Sequence, residues 1–189
     1  MQDLAVYILA GGKSTRMRQD KSMLPFRGHT LLEEVIQVAK QLSSDVFLLS
    51  QHPTHEQFGI PLIKDIIPNQ GPAGGIDAML QQTPFTYNVI LNCDMPFVDV
   101  QGLQLLVEAI PSHSIALFEH TTSHLIFPLV IHQDCREQWR QLLLSDVRKM
   151  SDVISQFDSI FVDASSVMLR NSLFFKNINT PDDYQSITP

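Results

Sequence analysis

The chain has 189 residues, 44% of them hydrophobic and 17% charged, with a net charge of -7. That length and apolar content suit one ordinary core, so a single domain over residues 1–189 is expected. The acidic balance, with neither a broad basic face nor a basic amphipathic stretch, excludes a nucleic-acid or membrane-surface protein and directs attention to a small anionic partner.

In chain order, Leu4 to Leu9 is a short apolar run that reads as a buried strand. Asp3 rather than a basic segment precedes it, and no stretch approaches the roughly 18 to 20 apolar residues of a membrane span, so a cytoplasmic protein is expected. The run breaks into Ala10-Gly11-Gly12-Lys13-Ser14-Thr15-Arg16-Met17 and then Asp20-Lys21. Five of the 13 Lys and Arg residues (Lys13, Arg16, Arg18, Lys21, Arg27) fall in this one segment, a local charge opposite to the global one. Thr30-Leu31-Leu32-Glu33 reads as a capping box opening a helix, with Val35, Ile36 and Ala39 on its apolar face. Residues 46–49 and 61–64 read as the next strands, the latter ending at Asp65. A second glycine-rich turn, Pro68 to Gly75, runs into a helix over 76–81. Residues 89–91 form another buried strand that stops at Asn92-Cys93-Asp94-Met95-Pro96, where the proline biases Met95 away from helix. A helix over 100–109, strands over 115–118 and 125–131, a helix over 134–144, a strand over 173–178 and a capped helix at Thr180-Pro181-Asp182-Asp183 complete the chain. Apolar runs alternating with helical period predict a layered α/β fold with a mainly parallel sheet. Cys93 and Cys135 are far apart and in no metal-ligand spacing, so both read as buried, reduced thiols.

In open α/β sheets ligands bind beyond the carboxyl ends of the strands, and the first glycine loop, Asp65 and Asp94 all arrive there. Gly11 and Gly12, lacking Cβ atoms, let backbone N–H groups approach an anion, while Arg16 and Lys21 add full charges. That is the design of a polyphosphate site. A triphosphate needs its charge neutralised and its α-phosphorus held in line, which calls for Lys or Arg, backbone N–H groups and a divalent cation. Asp94 is placed to supply the carboxylate for Mg2+. An attacking group that is already an anionic phosphate needs no general base, which fits the absence of a Ser/His/Asp or Cys/His constellation. Each element also has a plainer role: Gly11-Gly12 and Gly71 to Gly75 as tight turns, Asp65 and Asp94 as loop or cap carboxylates. Walker A is excluded because its first glycine would fall at Tyr7, and the dinucleotide fingerprint because no third glycine follows Gly11-Gly12. His52/His55 and His120/His124 have helix-like spacing but lie in predicted loop or strand, and are not read as metal ligands.

On these residues the chain resembles the molybdenum cofactor guanylyltransferases (MobA), within the larger family of glycine-loop nucleotidyltransferases. The matching pieces are Leu9-Ala10-Gly11-Gly12, Arg16-Met17, Asp20-Lys21, Ile63-Lys64-Asp65, Gly71-Pro72 with Gly74-Gly75, Cys93-Asp94-Met95-Pro96 and Asn177-Ile178-Asn179-Thr180-Pro181-Asp182. The resemblance implies a three-layer Rossmann-like nucleotidyltransferase fold. It also implies a reaction in which the terminal phosphate of molybdopterin cofactor attacks the α-phosphate of GTP, with Mg2+ as the metal and pyrophosphate as the second product. Leu9, Ala10, Gly11 and Gly12 would lie along the nucleotide. Lys21 would meet its phosphates, with Arg16 beside it as a second catalytic cation. Asp65 would help to hold the nucleotide, and Asp94 would bind the metal. Guanine recognition would fall to Gly71, Gly74 and Gly75, and the pterin side to His124 and Arg148. Handover to other cofactor-biosynthesis proteins or to molybdoenzyme chaperones is implied as well.

The chain departs from the family pattern at three places. Arg18-Gln19 stands where a glycine usually follows Arg-Met, Ser50-Gln51-His52 where an asparagine is frequent, and Ser145-Asp146-Val147 where a glycine precedes Arg148. These changes bear on the base contact and the pterin side more than on phosphate and metal. The alternatives are transfer of CMP to molybdenum cofactor or of a nucleotide to a sugar phosphate, or a catalytically silent nucleotide-binding adaptor.

Overall fold

The computed structural model describes residues 3–11, 20–120 and 123–186, and for 123–125 the backbone alone. Strand β1 (Leu4–Leu9) is followed by a two-residue-per-strand hairpin, β2 (Pro25–Phe26) and β3 (His29–Thr30), then α1 (Leu31–Leu42), β4 (Val46–Leu49) and β5 (Leu62–Ile63). Next come α2 (Gly71–Leu80), β6 (Tyr87–Asn92), α3 (Val100–Ala109), β7 (Ile115–His120) and β8 (Ser123–His132). The chain closes with α4 (Arg136–Leu144), α5 (Met150–Ile154), β9 (Ser159–Asp163), α6 (Ser165–Arg170) and α7 (Pro181–Gln185).

Seven strands form one sheet in the order β5-β4-β1-β6-β8-β7-β9. Only β8 runs against its neighbours, pairing antiparallel with both β6 and β7. The predicted mainly parallel α/β architecture is therefore the one observed. Its physical basis is legible in β1, where both faces are covered. Leu4, Val6 and Ile8 enter a core with Val35 and Ile36 of α1 and Leu103 and Leu106 of α3. Ala5 and Tyr7 enter a second core with Ile76 and Met79 of α2, Trp139 of α4 and Val153 of α5. A strand buried on both sides has no polar alternation to keep, so it reads as a continuous apolar run. Helix α1 begins where predicted. Thr30 Oγ1 accepts from the Glu33 N–H at 3.2 Å and Glu33 Oε2 accepts from the Thr30 N–H at 2.7 Å.

Several expectations change. Helix α2 starts at Gly71, five residues before the predicted start at Ile76, because Pro72 sits in its first turn, where a missing N–H costs nothing. Its glycines are needed for close packing: a Cβ on Gly75 would lie 3.1 Å from Leu9 Cδ2. Residues 173–178 are not a strand. Phe174 instead inserts over α3, where a Cβ on Gly102 would come 2.3 Å from its ring. Asn171 also ties the segment to Phe97 O at 2.8 Å. The edge that such a strand would occupy is filled by β9, parallel to β7. Ile178 joins Leu24, Phe26, Leu31 and Phe97 in a third, smaller cluster, which seats the hairpin and the C-terminal segment on the same end of the sheet. The hairpin turns through Arg27 and Gly28, both at positive φ (48° and 84°), the geometry of a tight two-residue connection.

Candidate active site

The strand order reverses about β1. β4 and β5 lie on one side and β6 on the other, with α1 and α2 packed on opposite faces, which opens a crevice at the strand carboxyl ends. A cleft of about 720 Å3 occupies this place. Its wall is drawn from the ends of β1 (Leu9, Gly11), β4 (Leu49, Gln51, His52) and β6 (Asn92, Cys93, Asp94), from Lys21 and Asp65, and from the start of α2 (Gly71, Pro72, Gly75).

Most of the candidate residues are thus brought together. Ala10 and Gly74 are not on the wall. Ala10 is in the core with its N–H donated to Leu49 O at 3.1 Å, and Gly74 packs against Gln70, whose Cβ a new side chain would meet at 2.6 Å. Gly12 and Arg16 lie outside the described residues, as does the side chain of His124. Arg148 lies away from the cleft, half exposed and paired with Asp146 at 2.8 Å. Both cysteines are buried and free, and burial, reinforced by the neighbouring Asp94 charge, pushes the Cys93 thiol up to about 12.

Lys21 and Asp94 meet across the cleft. Lys21 Nζ donates to Asp94 Oδ2 at 2.5 Å and to Asn179 Oδ1 at 3.2 Å. The Ile178 N–H donates to Asp94 O at 2.9 Å, so the C-terminal Asn-Ile-Asn segment braces both partners. Asn179 was visible in the sequence as part of that segment, but nothing there linked it to Lys21. Asp94 Oδ1 is buried and has no hydrogen-bond partner among the described residues. No group of three His, Cys, Asp or Glu side chains that could hold a metal is found among the described residues. That donor set fits a cation such as Mg2+, which is bound through one or two carboxylates and completed by phosphate oxygens and water. Asp65 sits opposite. Burial raises its carboxyl pKa, against a hydrogen bond with Gln51 that lowers it.

A buried polar group that the sequence showed only as half of the His52/His55 pair adjoins the cleft. His55, in the 3-10 stretch Pro53–Phe58, is fully buried and contacts Ser50 Oγ (2.8 Å), Ser22 Oγ (2.9 Å) and Asp20 Oδ2 (3.0 Å).

The profile of the MobA-like NTP transferase domain matches residues 6–160. The chain belongs to this family. This nucleotidyltransferase is 26% identical over 191 residues to a protein of Carboxydothermus hydrogenoformans named probable molybdenum cofactor guanylyltransferase, covering 99% of this chain and 96% of that one. It is 25% identical over 185 residues to a Clostridium perfringens protein of the same name, covering 95% and 93%. The crystal structure of molybdopterin-guanine dinucleotide biosynthesis protein A from Archaeoglobus fulgidus superposes with a TM-score of 0.82 at 20% identity, over 97% of this chain and 96% of that chain, which establishes the shared fold. Among the described residues, no helix of the nucleotidyltransferase is long and apolar enough to cross a membrane.

Proposed function

We propose that this nucleotidyltransferase transfers GMP from GTP to the terminal phosphate of molybdopterin cofactor, in the cytoplasm, forming the guanine dinucleotide cofactor and pyrophosphate. The observation that carries the reading is the Lys21–Asp94 pair in a cleft at the strand ends, with Asp94 Oδ1 buried and unpartnered among the described residues. The names of the relatives support the choice of acceptor and base.

In this reading an oxygen of the acceptor phosphate attacks the α-phosphorus of GTP, the bond from that phosphorus to the α–β bridging oxygen breaks, and pyrophosphate leaves with the bonding pair. The Lys21 ammonium faces the phosphates and stabilises charge that builds on them in the transition state. Gly11, just past the end of β1, is on the cleft wall and packs closely on β4, where a Cβ would stand 3.3 Å from Leu49 O. Asp65 and Gln51 line the nucleoside side. Asp94 would hold Mg2+, which supplies charge neutralisation at the phosphates. No side chain is required as a general base, because the acceptor oxygen carries no proton at neutral pH, and positioning supplies the remaining rate enhancement.

The test is magnesium-dependent pyrophosphate release from GTP, CTP and ATP, each with and without molybdopterin cofactor. Release that requires GTP and the cofactor together is expected. Release with CTP in preference to GTP would replace the base, and tight GTP binding without release in any combination would replace the acceptor or the activity.

A further inference from the structure

His55 stands outside the transfer reaction, yet it joins the two walls of the cleft. On one side it meets Ser50, and on the other Asp20 and Ser22; Ser22 and Ser50 are 1% and 2% exposed and His55 0%. The directions of the hydrogen bonds follow from what each atom can give. The Ser22 hydroxyl donates to Asp20 Oδ1 at 2.6 Å and the Ser22 N–H to the same oxygen at 3.0 Å. Asp20 is an acceptor only, so its Oδ2 accepts a hydrogen bond from His55 Nε2–H. In the neutral ring Nδ1 is then an acceptor, filled by the Ser50 hydroxyl, and Ser50 Oγ in turn accepts the His52 N–H at 3.1 Å. The relay runs one way, from His52 through Ser50 and His55 to Asp20, and every polar atom along it has a partner.

Both ends of the relay reach the cleft, for Asp20 adjoins Lys21 and His52 is itself on the wall. Asp20 caps the 3-10 turn Lys21–Met23 and immediately precedes Lys21. Ser50 immediately precedes Gln51 and His52, which line the cleft. We propose that His55 is a positioning residue, whose Nε2–H, acting through Asp20, holds the Lys21 turn so that the ammonium faces Asp94 and the phosphates. This rests on the transfer reading for the identity of the phosphates, but not for the placement of Lys21.

The test uses two substitutions that divide the ring's functions. A glutamine amide can reach the place of Nε2 and keep the bond to Asp20, whereas an asparagine amide reaches only the place of Nδ1 and keeps the bond to Ser50. His55→Gln is expected to retain kcat within about threefold, and His55→Asn to lose about tenfold or more, with KM for GTP changed less than kcat. In a Lys21→Ala background, His55→Asn is expected to cost less than about twofold further, because the two act as one unit. Should His55→Asn not fold, Asp20→Asn decides, with the same loss expected and the same disappearance of that loss once Lys21 is Ala. Calorimetric binding of inorganic tripolyphosphate to the full-length variants reads Lys21 placement without any chemistry, and the same ranking is expected. Equal losses for Gln and Asn, or an undiminished loss in the Lys21→Ala background, would overturn the inference and leave His55 a core filler. Intact ranking in tripolyphosphate binding by a protein that releases no pyrophosphate from GTP would support the positioning role and sink the transfer reading instead.

Discussion

The two oxygens of Asp94 are in different circumstances, since Oδ2 accepts from Lys21 and Oδ1 is buried without a partner among the described residues. An unmade buried hydrogen bond costs about 1–3 kcal/mol, which the protein recovers when a cation or a ligand donor arrives. Asp94→Asn keeps the shape and removes the charge. Turnover is expected to fall about 10²- to 10³-fold in a protein that still folds, and magnesium-dependent turnover at the wild-type rate would remove Asp94 from the mechanism. Lys21→Ala should cost about 10²-fold in kcat if the ammonium meets developing charge; an unaltered kcat would count against that role. Gly102 makes a different kind of demand, steric rather than electrostatic. A methyl group there meets the buried Phe174 ring, so Gly102→Ala should destabilise by about 1–3 kcal/mol in urea unfolding while the folded protein keeps its activity.

Among the elements, α2 depends most on its neighbour. Gly71, Gly74, Gly75 and Pro72 open it, so its first turn has little side-chain packing of its own, yet this turn forms one side of the cleft. Helix α4 holds it at three heights. Trp139 Nε1 donates to Ala73 O at 3.0 Å, Arg140 Nε to Asp77 Oδ1 at 2.7 Å, and Arg136 Nη2 to Thr83 O at 2.9 Å beyond the helix end. Asp77 is fully buried, so its charge depends on Arg140. Removing one partner of a buried pair leaves an uncompensated charge and costs about 3–5 kcal/mol, whereas replacing both by apolar groups is frequently neutral. Arg140→Met is therefore expected to destabilise by that amount in urea unfolding, and Asp77→Leu with Arg140→Met to recover most of it. A double variant no more stable than the single one would show that the ion pair is not the fastening.

At the scale of the whole molecule, stability should carry the mark of the His55 relay. Burial on its own would raise the Asp20 carboxyl, but hydrogen bonds from His55 and from the Ser22 side chain and backbone prevail and hold it at about 2 against an ordinary 3.8. A carboxyl depressed on folding adds stability that is complete above its unfolded value near 4 and is lost as pH falls through the folded value. The side chain is a quarter exposed, and the contribution is about 2 kcal/mol. Wild-type unfolding free energy should drop between pH 5 and pH 2 by about that much more than in Asp20→Asn; parallel curves would exclude the linkage. The strands and their parallel arrangement were legible in the sequence because β1, β4 and β6 are covered on both faces and are mainly apolar, and α1 and α7 because Thr30 and Thr180 cap them locally. The glycine loop, Asp65 and Asp94 were legible as well, since a strand end announces itself in the chain. Residues 173–178 misled because apolar content signals burial and does not say against what. The pairings that build the cleft were beyond sequence reasoning: His55 lies 35 residues from Asp20 and Asn179 158 residues from Lys21. Periodicity and capping are properties of neighbours along the chain, and so the sequence by itself determined most of the elements and the fold class. Which distant side chains share a hydrogen bond depends on sheet order and crossover handedness, and only the tertiary structure decided that Asn179 reaches Lys21, that α4 secures α2, and that a buried histidine joins the two walls.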